Sequence, residues 1–104
     1  MISVADPDFK PYFYDEASGD GLVVTGEKFQ LLRRVIVQEA TAGAAITITN
    51  GSGGTLILTI PASTAVGTIY DLGDVQCVDG VYFNENSATA GQFTFVIKKY
   101  IKGA

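Results

Sequence analysis

The chain has 104 residues, of which 47% are apolar, and it carries a formal net charge of −4. That length makes one domain able to bury its own core, and that apolar content argues against a disordered chain. Seven basic residues against eleven acidic ones offer little to a phosphate backbone, and no apolar run is long enough to span a bilayer, so neither nucleic acid nor membrane is expected as a partner.

The elements read as strands from end to end, because Val, Ile, Thr, Tyr and Phe dominate and 12 glycines punctuate them. The start, MISVADPDFK, lacks a basic segment followed by an apolar run, so no signal peptide is expected. FKPYFYD and GLVVTG are two weaker strands. EKFQLLRRVIVQEA is the one helix candidate, with Leu31, Leu32, Val35 and Ile36 at helical spacing. Phe29, Leu31, Val35 and Val37 also fit a period of two with Arg33 as the exception, and the β-branched run Val35-Ile36-Val37 decides for strand. AAITIT points Ile46 and Ile48 inward, NGSGG is a five-residue turn, and TLILTI follows with Leu56, Leu58 and Ile60 on one face and Ile57 on the other. Pro61 ends that strand. GTIYDLG, then DVQCVDG with its Asp79-Gly80 turn, lead into VYFNE, and GQFTFVIKKYI closes the chain with Phe93, Phe95 and Ile97 inward. ATAG occurs twice, at Ala40–Gly43 and Ala88–Gly91, which reads as one small-residue turn used twice.

About eight short strands at this spacing predict an all-β fold: a two-sheet antiparallel β-sandwich, jelly-roll-like. Residues 1–28 are expected to form an N-terminal arm and edge strands, and 29–104 the sandwich core of a single domain. The expected core is Val35, Val37, Ile46, Ile48, Leu56, Leu58, Ile60, Ile69, Val81, Phe83, Phe93 and Phe95.

Catalytic chemistry is poorly served. There is no histidine, which removes the Ser-His-Asp and Cys-His devices and the commonest metal ligand. NGSGGT lacks the lysine and helix of a phosphate loop. Asp15, Glu16, Ser18 and Asp20 share a loop that resembles a calcium site in composition but not in spacing, and Asp71, Asp74 and Asp79 read as turn chemistry. Cys77 is the single cysteine and is expected to be a buried, inert thiol. No catalytic residue, cofactor or metal is therefore assigned, and the chain is read as a non-enzyme.

No Asp, Glu, Lys or Arg occurs from Ala40 to Tyr70. Either Thr, Ser and Asn solvate the outer faces, or another protein covers them. TLILTI is apolar on both faces, so it must be central or capped by a neighbour. DPDFKPYFYDE sets Phe9, Tyr12, Phe13 and Tyr14 beside two prolines and between flanking acids, and interfaces are enriched in aromatic residues. The protein-interface candidates are Phe9, Tyr12, Phe13 and Tyr14 of this arm, together with Ile57 of the neutral strand.

ITITNGSGGTLILTIPAST and GTIYDLGDVQCVDGVYFNENSATAGQFTFVI carry the pattern strand, glycine turn, strand ending in IP, GTIYDLG step, DGVYF and closing TAG strand. Over roughly residues 29 to 97 this resembles the capsid decoration, or cement, proteins of tailed phages. The arm is not matched by the resemblance. The resemblance implies a virion structural protein, made in the host cytoplasm, that sits on the capsid surface and bridges major capsid protein subunits as a homo-oligomer, a trimer foremost. The rival readings are a β-sandwich module binding carbohydrate or a cell surface, and a tail, fibre or head–tail component.

Overall fold

The computed structural model describes residues 3–5, 8–26 and 29–102. Nine strands run β1 (Ser3–Ala5), β2 (Lys10–Asp15), β3 (Gly21–Leu22), β4 (Gln30–Ala42), β5 (Ile46–Asn50), β6 (Leu56–Ile60), β7 (Ile69–Cys77), β8 (Val81–Asn84) and β9 (Ala90–Lys102). One 3₁₀ turn, Glu16–Ser18, follows β2. The β-branched run at Val35–Val37 lies in a strand, as its side-chain stiffness predicts.

The first sheet has the order β9, β4, β7, with β1 and β2 both pairing with the free side of β9. Ser3–Ala5 lies opposite Lys102–Tyr100, and Lys10–Asp15 lies opposite Ile97–Gln92. Residues 1–28 thus contribute β1 and β2 along the free side of β9, and β3 at an edge of the second sheet. The second sheet has the order β3, β8, β5, β6. All pairings are antiparallel. Among the eight strands from β2 onward the first pairs with the last, the second with the seventh, the third with the sixth and the fourth with the fifth. That nested pairing, folded over into two sheets, is a jelly roll.

The core lies between the sheets. Phe83 on β8 touches three rings: Tyr14 at 4.5 Å, Phe93 at 5.5 Å and Phe95 at 6.5 Å between centroids. Val35, Val37, Ile46, Ile48, Ile60, Val81 and Ile97 are fully buried around them. Leu56 and Ile69, expected inside, are each 58% exposed. Bulges explain the exposure of Leu56 and another misreading on β4. On β6 the register slips between Leu58 and Leu56, so Ile57 is the extra residue and alternation restarts there. On β4 the slip falls at Arg33, so Leu32 rather than Leu31 joins Val35 and Val37 inside. Ile69 faces out because its neighbour Tyr70, opposite Val35, packs on the core.

Polar ties hold the two sheets in register. Gln30 is fully buried; its Nε2 donates to Val24 O at 3.2 Å and its Oε1 accepts from Val81 N at 3.2 Å. Gln30→Ala is therefore expected to cost about 1–3 kcal/mol, because it strands a buried donor and acceptor; urea unfolding checks this. Thr41, also buried, clamps the 61–68 loop, with its Oγ1 donating to Pro61 O and accepting from Thr64 N. The two ATAG copies meet at one end of the first sheet, where Ala42 pairs with Ala90 and Thr89 N donates to Ala42 O. In the NGSGG turn Gly51 has φ 73°, and a Cβ there would lie 2.7 Å from Asp79 Cβ, so only glycine seats this turn without a shift.

Candidate interaction surfaces

Strand β2 sorts the aromatic candidates by its pleat. Tyr12 and Tyr14 lie opposite Phe95 and Phe93 and pack on the core. The Tyr14 hydroxyl donates to Gly19 O at 2.6 Å. Phe13 points the other way and is 75% exposed. Phe9 lies beneath the Arg33 guanidinium, whose Cζ is 3.7 Å from the ring centroid. Arg33, pushed outward by the β4 bulge, also grips Asp74 with Nε–Oδ1 at 2.9 Å and Nη2–Oδ2 at 3.1 Å. Phe9 and Tyr14 are thus committed to contacts within the chain, and Phe13 is the aromatic left facing outward.

The register places Phe13 in a row that crosses the whole outer face of the first sheet: Phe13 opposite Thr94, Thr94 opposite Ile36, Ile36 opposite Ile69. Thr94 is buried within the row, its hydroxyl bonded by Gln38 Nε2 at 3.1 Å. The adjacent row runs Pro11, Val96, Arg34 and Asp71, so apolar side chains occupy two neighbouring rows near β2 and β9. Ile36, Val96 and Ile69 did not figure among the interface candidates. The signal was available: once Val35 and Val37, or Phe93, Phe95 and Ile97, point inward, strand alternation sends Ile36 and Val96 outward. Ile69 was hidden by the break in alternation along β7.

Beside Phe13 lies a hollow of about 430 Å³ walled by Tyr14, Asp15, Ser18, Gln38 and Gln92. The carboxylates around it serve the chain itself. Asp15 Oδ1 accepts from Ala17 N and its Oδ2 from Gln92 Nε2, Asp20 Oδ1 accepts from Glu85 N, and Glu39 Oε1 accepts from Gly91 N. Among the described residues no group of three His, Cys, Asp or Glu is placed to hold a metal ion. The Glu16 carboxyl is held above its ordinary range by loss of solvation and then by repulsion from Glu85, Asp15 and Glu39.

Strand β6 occupies an edge of the second sheet, and among the described residues no strand pairs with its outer side. Ile57, at the bulge, is half-buried and packs against the core, while Leu56 projects outward. The outer face of this sheet is solvated without charge: Asn84 Nδ2 donates to Thr47 O and Thr49 Oγ1, and Asn86 Nδ2 to Ala45 O and Thr47 Oγ1. An amide–hydroxyl ladder therefore accounts for much of the uncharged stretch, and the β6 edge is the part it does not cover. Cys77 is buried, and desolvation pushes its thiol up to about 11.

The Arg33–Asp74 pair gives a pH prediction. The hydrogen bond from Arg33, more than its charge, holds the Asp74 carboxyl below its ordinary value. A depressed folded-state carboxylate stabilises the fold above its unfolded pKa, and that stabilisation disappears as pH falls through the lower folded value. Asp74→Asn is expected to flatten the decline of stability below about pH 4, while leaving the neutral-to-alkaline profile parallel to that of the parent; urea midpoints across pH check it.

These features define a small jelly roll without an assembled catalytic centre among its described residues; Phe13 and Ile69 face outward on the first sheet, Leu56 projects from the β6 edge, and Val66 and Val78 are exposed in loops. No family model matches the chain, and neither a curated protein nor a solved structure matches it.

Proposed function

We propose that this protein is a non-enzymatic virion component that binds the outside of a tailed-phage capsid and stabilises the shell by bridging major capsid protein subunits. The observation that carries the reading is the outward row Phe13, Thr94, Ile36 and Ile69, in which exposed Phe13 and Ile69 and half-buried Ile36 flank a Thr94 capped by Gln38, on a sheet face that no second sheet covers among the described residues. Exposed apolar strips of this kind on small soluble domains mark contact with other proteins. The jelly-roll topology and the resemblance across residues 29–97 support the same reading. The job needs no chemistry. Each attached copy adds contacts that a capsomer must break to leave, and a repeating lattice turns weak contacts into firm attachment through effective concentration.

The test is binding to particles that lack this protein. Purified chain mixed with heads, and separately with tails, is expected to co-sediment with heads to a saturating copy number and to raise the temperature at which they release their genome. Failure to bind heads would sink the proposal, and binding to tails alone would move the protein to a tail or fibre role. The hollow beside Phe13, with its carboxylate and two glutamine amides, favours a second reading as a carbohydrate-binding module. Titration with neutral oligosaccharides, with and without chelator, separates it from the first.

A further inference from the structure

Sheet edges are templates for further strands, and this molecule guards three of its four edge lanes. β2 carries Lys10 and Pro11, and proline cannot donate to a new ladder. β7 carries Asp71 and Asp74, and its backbone departs from strand geometry at Gly73 and Asp74, where φ is 65° and 62°. β3 is only two residues long. β6, Leu-Ile-Leu-Thr-Ile, has no charge, proline or glycine, and the bulge at Ile57 is its one irregularity.

We propose that β6 pairs antiparallel with β6 of a second copy of this chain, about a two-fold axis normal to the second sheet, joining two four-stranded sheets into one continuous sheet. Charge selects the second copy as the occupant. A chain of net charge −4 repels itself at most contacts, and most strongly where Asp15, Glu16, Glu39 and Glu85 gather. The β6 edge lies within the stretch Ala40–Tyr70, which has no charged residue, so two copies meet there without facing like charges. β7 borders the same side of the sandwich, since β2 stands over β3 on the other, where Tyr14 Oη would lie 3.0 Å from a Cβ on Gly21. The carboxylates on β7 are already matched, Asp74 by Arg33 at 2.9 Å and Asp71 by Arg34 at 3.8 Å. Self-pairing of an isologous patch also satisfies the free backbone groups of both copies at once.

The geometry has a consequence for attachment. A two-fold axis normal to the sheet leaves both first sheets on the same side, so both Phe13–Ile36–Ile69 rows face the same way and can engage two neighbouring lattice sites. That consequence rests on the function proposed above; the dimer does not.

Sedimentation velocity of the full chain tests the pairing. The parent is expected to be a dimer at about 0.1 mM, a concentration that populates any micromolar complex. Leu56→Lys/Thr59→Lys, two substitutions at exposed positions of β6, is expected to be a folded monomer with an unchanged circular dichroism spectrum. Should the double variant lose its fold, Thr59→Lys alone takes its place with the same expected monomer. Phe13→Ser is expected to remain dimeric. A parent that is monomeric at that concentration, a closed trimer, or a dimer that survives folded lysine variants would each overturn the proposal. Head binding by the parent keeps the two ideas apart: a parent that is monomeric yet binds heads sinks only the dimer, and a dimeric parent that ignores heads sinks only the lattice reading.

Discussion

Phe83→Ala is expected to destabilise the fold by about 3–5 kcal/mol, the largest effect of any single truncation in the chain. The ring is fully buried and is the common neighbour of Tyr14, Phe93 and Phe95, which come from β2 and β9 of the opposite sheet. Its loss opens a cavity between the sheets that three aromatic rings on regular strands cannot collapse to fill. With domains of this size stable by only about 5–15 kcal/mol, a loss of this size removes a large share of the margin. Urea unfolding followed by circular dichroism measures it. A cost below about 1 kcal/mol would mean that the aromatic cluster is not the keystone of the core.

The second large effect falls on binding, with little on stability. Phe13→Ser and, separately, Ile69→Lys are expected to weaken attachment to heads by about thirtyfold or more, the loss of one central apolar anchor. Both side chains are mostly exposed, so neither change should move the thermal midpoint appreciably. Weakened binding with an unchanged midpoint assigns the row to the interface. Unchanged binding in both variants would remove the row from the proposed function, and a fallen midpoint would return the two residues to the fold.

The contrast between these experiments follows from how the strands present their residues. Phe93, Phe95 and Ile97 announce an inward face by simple alternation, and the structure buries all three. Val81 and Phe83 behave likewise in their short strand. The interface side is less legible. Of the five candidates, Phe13 is the one mostly exposed. Tyr12, Tyr14 and Ile57 lean on the core, and Phe9 is held by Arg33. An aromatic-rich segment beside prolines looks the same in sequence whether its rings cap a core or face a partner. What separates the two outcomes here is the pairing of Lys10–Asp15 with β9, which sets alternate residues on opposite faces.

Strand identity, the turns and the all-β class were properties of the sequence itself, because β-branched and aromatic runs, glycine turns and the terminating Pro61 act over a few residues. The nesting of strands into a jelly roll, the place of β6 at an edge and the row Phe13–Ile36–Ile69 were decided by tertiary structure alone. The physical reason is that a bulge inserts one residue and reverses every side chain beyond it, as at Arg33 and Ile57, and that which strand lies beside which depends on partners far away in the chain.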